Sequence, residues 1–468
     1  MKGIANMNLK DLTKVSAAVV LGLSLAACSG DDGKNGTNGT DGTNGTNGTD
    51  GKTTFVARAD VIKTNANIAY ASYSDSLITA VALKESLDTL VANPTAQNFT
   101  DAKQAWLDAR EPYGQTEVYR FREGPIDFEN ADGTTGPEGA INAWPLGEAL
   151  IDYISTSPAV NGNAFQEDDS RAISSNIIAD TTTYPIINKA TVTGLFETNE
   201  DERNVTTGYH AIEFLLWGQD LNADLGSSQT TRDATAGNRP LTDFNTTGGC
   251  TSGTGNAMAD NICERRGQYL QVAADILIED LTTVVKAWEP ATGEHYKTFV
   301  AGGDASLALI LEGMGRLSYG ELAGERINVA LINNSQEDEH SCFSDNTHRD
   351  IYLNAKGVQN SFNASYTRVN GEEISGASIY DLLLTEGHPE LANQLRGSLE
   401  ATMAAASVID TKAKTGMPFD LLIQSGIDQE NVIAVIKALV AQTDDIEEAI
   451  KALNVTTNDL RQDTEEKI

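Results

Sequence analysis

Histidine is scarce in this chain: it occurs at 210, 295, 340, 348 and 388, five positions in 468 residues. None belongs to His-Glu-x-x-His or to its inverted form, because Phe214 stands where a second histidine would follow His210. The Gly-x-Ser-x-Gly elbow, the Walker A glycine loop and Cys-x-x-Cys are also absent, so hydrolase, phosphate-loop and dithiol chemistry have no sequence support. Basic residues are few, 33 Lys and Arg against 67 Asp and Glu, a formal net charge of −34. That balance argues against nucleic acid and other polyanions, and it suits a soluble protein or one that attracts cations. Aromatics make up only 6% of the chain, yet 40% of it is hydrophobic, which excludes a disordered polypeptide. The length is enough for two cores.

The N-terminal apolar run, "VSAAVVLGLSLAA", has thirteen residues, too short to span a bilayer. Lys2, Lys10 and Lys14 precede it and "LAAC" ends it, the pattern of a bacterial lipobox. Residues 1–27 are therefore expected to be a signal peptide, and Cys28 the lipidated first residue of a cell-envelope protein. Ser29 rather than Asp after the cysteine favours the outer membrane. Residues 28–54 carry glycine at every third position from Gly33 to Gly51 without proline, which reads as a flexible tether rather than collagen. Of the remaining cysteines, Cys250 and Cys263 flank a Gly/Ser/Asn-rich loop that a disulfide could close, leaving Cys342 as a thiol.

From Phe55 onward helical periodicity dominates. Phe99, Ala102, Trp106, Ala109 and Tyr113 share one face, as do Tyr269, Leu270, Ala273, Leu277, Leu281, Val284, Val285 and Trp288. Val432, Ile433, Ile436, Leu439 and Val440 follow a candidate cap at Asp428. The best strand alternation is "NASYTRV" at 363–369, a candidate hairpin. The fold class is all-α, with two helical-bundle halves at 55–240 and 241–468 joined across a long polar stretch. Arg110-x-x-Tyr113-Gly114 echoes Arg316-x-x-Tyr319-Gly320, so an internal duplication is one reading of the two halves.

Two segments hold candidate chemistry. In "TTGYHAIEFLLWGQD", with Thr206 or Thr207 as cap, His210 and Glu213 project from one face of an otherwise apolar helix. Such a pair is costly to bury unless it is mutually bonded or ligating. In "SQEDEHSCFSDNTHRDI", Glu337 and His340 form Glu-x-x-His, the spacing by which helical bundles offer metal ligands. Together His210, Glu213, Glu337 and His340 would suit iron, with zinc or copper as alternatives. Cys342, Asp345, Asn346, His348 and Asp350 are possible ligands or supports, and His295 and His388 read as surface residues. Arg110, Arg120, Arg316 and Arg326 are expected to balance the acidic segments structurally.

"GYHAIEFLLWGQD" resembles the G-x-H-x-x-E motif of the imelysin family, with Gly208, His210 and Glu213 in its positions. "YGQTEVYRFREGPID", "GPEGAINAWPLGE", "LSYGELAGERINVAL" and "QEDEHSCFSDNTH" resemble its iron-regulated protein A branch, over about residues 60–425. The resemblance implies two helical bundles with the motif near their interface, a role in iron uptake and an iron transporter as partner. Gly208, with Asp338, Cys342, Asp345, His348, Arg120 and Arg326, is expected among the groups around the site. The family is also classed among metallopeptidases, and in that reading Glu213 would be a ligand or general base for metal-bound water. A metal, or the polar head of a small iron chelate, is the ligand expected from the binding reading.

Overall fold

The computed structural model describes residues 55–130, 134–154, 175–220, 232–462, 464 and 468. The signal peptide, Cys28 and the tether expected at 1–54 lie outside the described residues. Eight α-helices of ten or more residues build the described part. They are α1 (Arg58–Ala92), α2 (Ala96–Tyr113), α3 (Gly208–Trp217), α4 (Asp260–Trp288), α5 (Asp304–Arg316), α6 (Thr347–Asn363), α7 (Pro389–Lys414) and α8 (Gln429–Ala452). The fold is all-α, and its one sheet among the described residues is an antiparallel pair, Ser365–Thr367 with Glu373–Ser375; only the first strand lies inside the 363–369 segment expected from the sequence.

The expected periodicities become buried faces. Ala102, Trp106, Ala109 and Tyr113 of α2 are inside, and Thr95 starts that helix by accepting from the Asn98 amide. Tyr269, Leu270, Ala273, Leu277, Leu281, Val284 and Trp288 line the buried side of α4, which stops at Trp288 before Glu289-Pro290. Two details differ. On α8 Ile433 points outward, and Val435 takes an inside place with Val432, Ile436 and Leu439. Asp428 precedes α8 but does not cap it, because its carboxylate is drawn to the Lys412 ammonium instead.

The main core joins residues from both sides of position 240: Val61, Leu87 and Trp106 pack in one cluster with Leu277, Leu311 and Phe362. A second cluster gathers Leu322, Ile327, Ile351, Ile409, Phe419 and Leu439 under α7 and α8. Between α5 and α6 the chain forms an unusual stretch, a π-helix over Leu317–Asn328. Its wider turn swings residues five apart onto one side, which an α-helix would not do, and Arg326 reaches Glu321 at 2.9 Å. Cys250 and Cys263 form a disulfide, and Cys342 is a buried free thiol. No described helix is long and apolar enough to cross a membrane.

Candidate functional site

Helix α3 places the two residues singled out in the apolar helix. Its first residue, Gly208, has φ +81°, and a Cβ there would lie 2.3 Å from the Ile141 carbonyl oxygen. Only glycine lets the helix begin against the 138–142 segment that carries Glu138 and Asn142. Thr207 stands at the cap position without a side-chain cap bond, while Thr206 turns its hydroxyl to the Val192 carbonyl, 2.8 Å away. Every residue of α3 is buried, and Trp106 Nε1 donates to the Tyr209 carbonyl at 2.9 Å to tie α2 to it.

His210 Nδ1 lies 2.9 Å from Glu213 Oε2. The other carboxyl oxygen of Glu213 accepts from the Ser344 amide at 3.0 Å and hydroxyl at 2.6 Å. Burial pushes Glu213 up to about 8, and burial, then the neighbouring His340, pushes His210 well down. Both are therefore uncharged near neutrality: Glu213 donates its proton to Nδ1, while its carbonyl oxygen accepts from Ser344. His210 Nε2 is buried without a hydrogen-bond partner. Its ring meets the ring of His340 edge-on, centroids 4.7 Å apart.

His340 belongs to a different network. Its Nδ1 lies 2.9 Å from Asp350 Oδ2, which also accepts from the Ser341 hydroxyl at 2.5 Å. Arg110, buried on α2, holds the other oxygen of Asp350 at 2.8 Å. Despite burial, Arg110 and then His340 keep Asp350 well below the usual carboxylate range. A charged Asp350 fixes the tautomer: His340 donates through Nδ1, and its Nε2 carries the lone pair. The nearest group to Nε2 is the Asn142 amide nitrogen at 3.5 Å, which donates better to Glu117 at 2.9 Å. The network runs on through Glu117 to Arg326 at 3.1 Å, to Glu321 at 2.9 Å and to Arg120 at 3.1 Å. Two nearby arginines hold Glu321 down at about 2 against its burial.

A cavity of about 540 Å³ opens beside this network, and His340, Asn142, Trp144, Arg120, Arg326 and Asp338 are among its walls. His210 and Glu213 do not line it: both are fully buried behind His340. The cavity therefore meets the histidine pair at His340, from the acidic segment, and not at the family motif itself.

The other candidates divide. Arg120, Arg326 and Asp338 reach the cavity. The Glu-x-x-His spacing does not act as a helical pair, because Gln336–Asp338 is a 3-10 turn and Glu339 is extended. Glu337 faces Glu148 and Asp338, and burial pushes it well up. Asp345 belongs to a separate acidic group with Asp220, Glu339 and Asp420. His348 turns to the Asp345 carbonyl at 2.9 Å, and burial raises the Cys342 thiol well above its ordinary range. Among the described residues no three His, Cys, Asp or Glu side chains converge so that they could hold a metal ion. The four ligands read from the sequence thus do not assemble into one coordination shell. His295, read as a surface residue, packs half-buried against Trp288, centroids 4.4 Å apart.

Trp144, Asn142, Glu138 and Glu321 reach the cavity without a sequence signal of their own. The first three lie in the irregular 121–148 segment and the last in the π-helix, where no periodicity points inward.

The fold and the motif at the start of α3 define an imelysin-type protein. The imelysin family model matches residues 69–454, and the chain belongs to that family. Over 104 residues it is 33% identical to iron-regulated protein A of Synechococcus elongatus, a match of 22% of this chain and 26% of that relative's length. Two solved structures share the fold. One is described as an iron-regulated protein A precursor from Parabacteroides distasonis, with TM-score 0.57 and 17% identity over 84% of this chain and 94% of that one. The other is an imelysin-like protein from Psychrobacter arcticum, with TM-score 0.52 and 14% identity over 86% and 97%. This is an imelysin-like protein.

Proposed function

We propose that this protein binds an iron-bearing ligand in the cavity beside His340, as a lipid-anchored component of bacterial iron acquisition. The observation that carries the reading is His340 itself: its Nδ1 is held by a charged Asp350, and its ring lines the cavity with Nε2 as acceptor. Iron is cargo here, delivered to or received from a transporter in the envelope. The lipobox at Leu25–Cys28 supports anchoring through Cys28, with the outer membrane favoured by Ser29. The net charge of −34 disfavours nucleic acid as a partner.

A metallopeptidase working through His210 and Glu213 is the alternative. It would need both groups where a peptide backbone can reach, and both are fully buried with the Glu213 oxygens already engaged by His210 and Ser344. The binding reading is therefore preferred.

The test is iron binding by the full chain, purified in detergent, with ferrous iron under anaerobic conditions and with ferric iron presented as small complexes. Near-stoichiometric iron is expected, with affinity falling by about tenfold or more in His340→Ala. Wild-type protein that retains no iron in any form overturns the proposal.

A further inference from the structure

The cavity is much larger than a bare ion, and its polar lining is mostly carboxylate, set among apolar walls from Ala143, Trp144, Pro145 and Val329. Glu138, Glu197, Glu202, Glu321, Glu325 and Asp338 stand in its walls against two guanidiniums, those of Arg120 and Arg326. Both guanidiniums are already committed: Arg120 to Glu321 and Glu138 at 3.1 and 3.4 Å, and Arg326 to Glu117 and Glu321 at 3.1 and 2.9 Å. Six carboxyls against two guanidiniums give a formal excess of up to four negative charges, which falls towards two as Glu138, pushed by burial to about 7, and Asp338, also raised by burial, take up protons. His340, 4% exposed, adds a neutral acceptor at Nε2, and Trp144 adds an aromatic wall suited to a cation. An anionic ligand would meet repulsion there, with no uncommitted cationic side chain to receive it.

Size points the same way. An ion with six inner-shell waters occupies roughly 180 Å³, at about 30 Å³ for each water. The cavity, at about 540 Å³, holds such an assembly or a somewhat larger complex. No three protein ligands among the described residues converge to replace an inner shell. What the walls offer instead are acceptors for the O–H or N–H groups of a shell that stays in place.

We infer that the cavity selects net-cationic metal complexes with an intact, donor-rich inner shell, such as hydrated or ammine-like species, and rejects anionic chelates. This deepens the proposed function, and it rests on the cavity being the binding site. Recognition is outer-sphere: carboxylates and His340 Nε2 accept hydrogen bonds from coordinated water or amine, and no protein atom enters the metal's first shell. Specificity then lies in charge and hydrogen-bond direction, not in ligand softness.

Hexaamminecobalt(III) tests this directly, because it carries three positive charges, presents only N–H donors to its surroundings and does not exchange its ligands. Titration calorimetry of the full chain should show it binding at one site, weakening with added salt and losing about tenfold in affinity in E197Q/E202Q. Both positions are exposed, so the double variant keeps the core intact. Ferric citrate, an anion, should not compete. If ferrous iron binds but hexaamminecobalt(III) does not, the protein enters the inner shell, and the inference falls while iron binding stands. Equal binding of ferric citrate likewise overturns the charge selection alone. Binding by none of the three probes removes both the inference and the proposed function.

Discussion

Residues 339 and 340 are neighbours in sequence and belong to two buried acidic groups handled in opposite ways. Around His340 the carboxylates are matched by guanidiniums: Asp350 by Arg110, Glu117 by Arg326, and Glu321 by Arg120 and Arg326. Asp350 and Glu321 are held low there and stay charged. Around Glu339 the carboxyls have one guanidinium among them, Arg232, and it donates to the carbonyls of Asp420 and Asn334 rather than to a carboxylate. Burial pushes Asp345 up to about 8 and Asp420 to about 7, and drives Asp220 and Glu339 well above the ordinary range. Glu339 Oε2, Asp345 Oδ1 and Asp420 Oδ1 are buried without hydrogen-bond partners, as protonated acids tolerate and carboxylates do not. One group is neutralised by arginine, the other by protons. Arginine compensation keeps charge available to a cavity; proton compensation removes it.

The largest way to break this contrast is to take an arginine from the first group. Arg110→Met leaves Asp350 charged, buried and unpaired, and should cost about 3–5 kcal/mol in urea unfolding. Retention of wild-type stability would show that Arg110 does not carry the compensation. A backbone change comes next: Gly208→Ala forces a Cβ into the Ile141 carbonyl at a positive φ, and should cost about 2–3 kcal/mol.

The pH profile sharpens the comparison in sign. A carboxyl raised on folding stabilises below its ordinary pKa, and that contribution is lost as pH climbs through the folded value. Glu213 and Asp345, both near 8, and Asp420, near 7, lose it progressively from about pH 4, the ordinary carboxyl range, up to those folded values. Asp350 and Glu321, held low, lose theirs only in acid. Buried His210 and His340, held low, contribute stability that falls away below about pH 6.5. Above about pH 6.5, where the histidines no longer oppose it, thermal unfolding should therefore show stability declining towards about pH 8 and levelling beyond. Asp420→Asn, which keeps the protonated shape, should leave stability at pH 6 within about 1 kcal/mol of wild type and flatten the decline by about 1–2 kcal/mol. An unchanged slope would mean that the second group is not held by protons.

The smallest effect belongs to the echo of Arg110. Arg316 is partly exposed and meets Glu312 at only 3.5 Å, so Arg316→Ala should cost less than about 1 kcal/mol. The sequence writes both arginines in the same R-x-x-Y-G frame, but one anchors the His340 network and the other lies half-buried where α5 gives way to the π-helix. A short echo does not distinguish a buried partner from a solvated one, because the partner of Arg110 lies 240 positions away at Asp350.

Much was legible before any coordinates. Periodicity located α2, α4 and α8, because an apolar stripe has one stable solution: burial against another stripe. Glycine, histidine and glutamate at 208, 210 and 213 marked the motif helix, because a polar pair on an apolar helix demands a partner. Exposure and charge state were another matter. Glu337 and His340 look like one helical pair in the chain, yet a 3-10 turn and an extended residue send them to different neighbours. Sequence by itself determined an all-α protein and its helical faces, and it singled out His210, Glu213 and the acidic segment as candidates. Only the tertiary structure decided that His340 meets the cavity while His210 and Glu213 lie behind it, and which acids keep their charge. The physical reason is that burial and ion pairing depend on groups brought together from positions 110, 117, 142, 326 and 350, and no local pattern encodes that meeting.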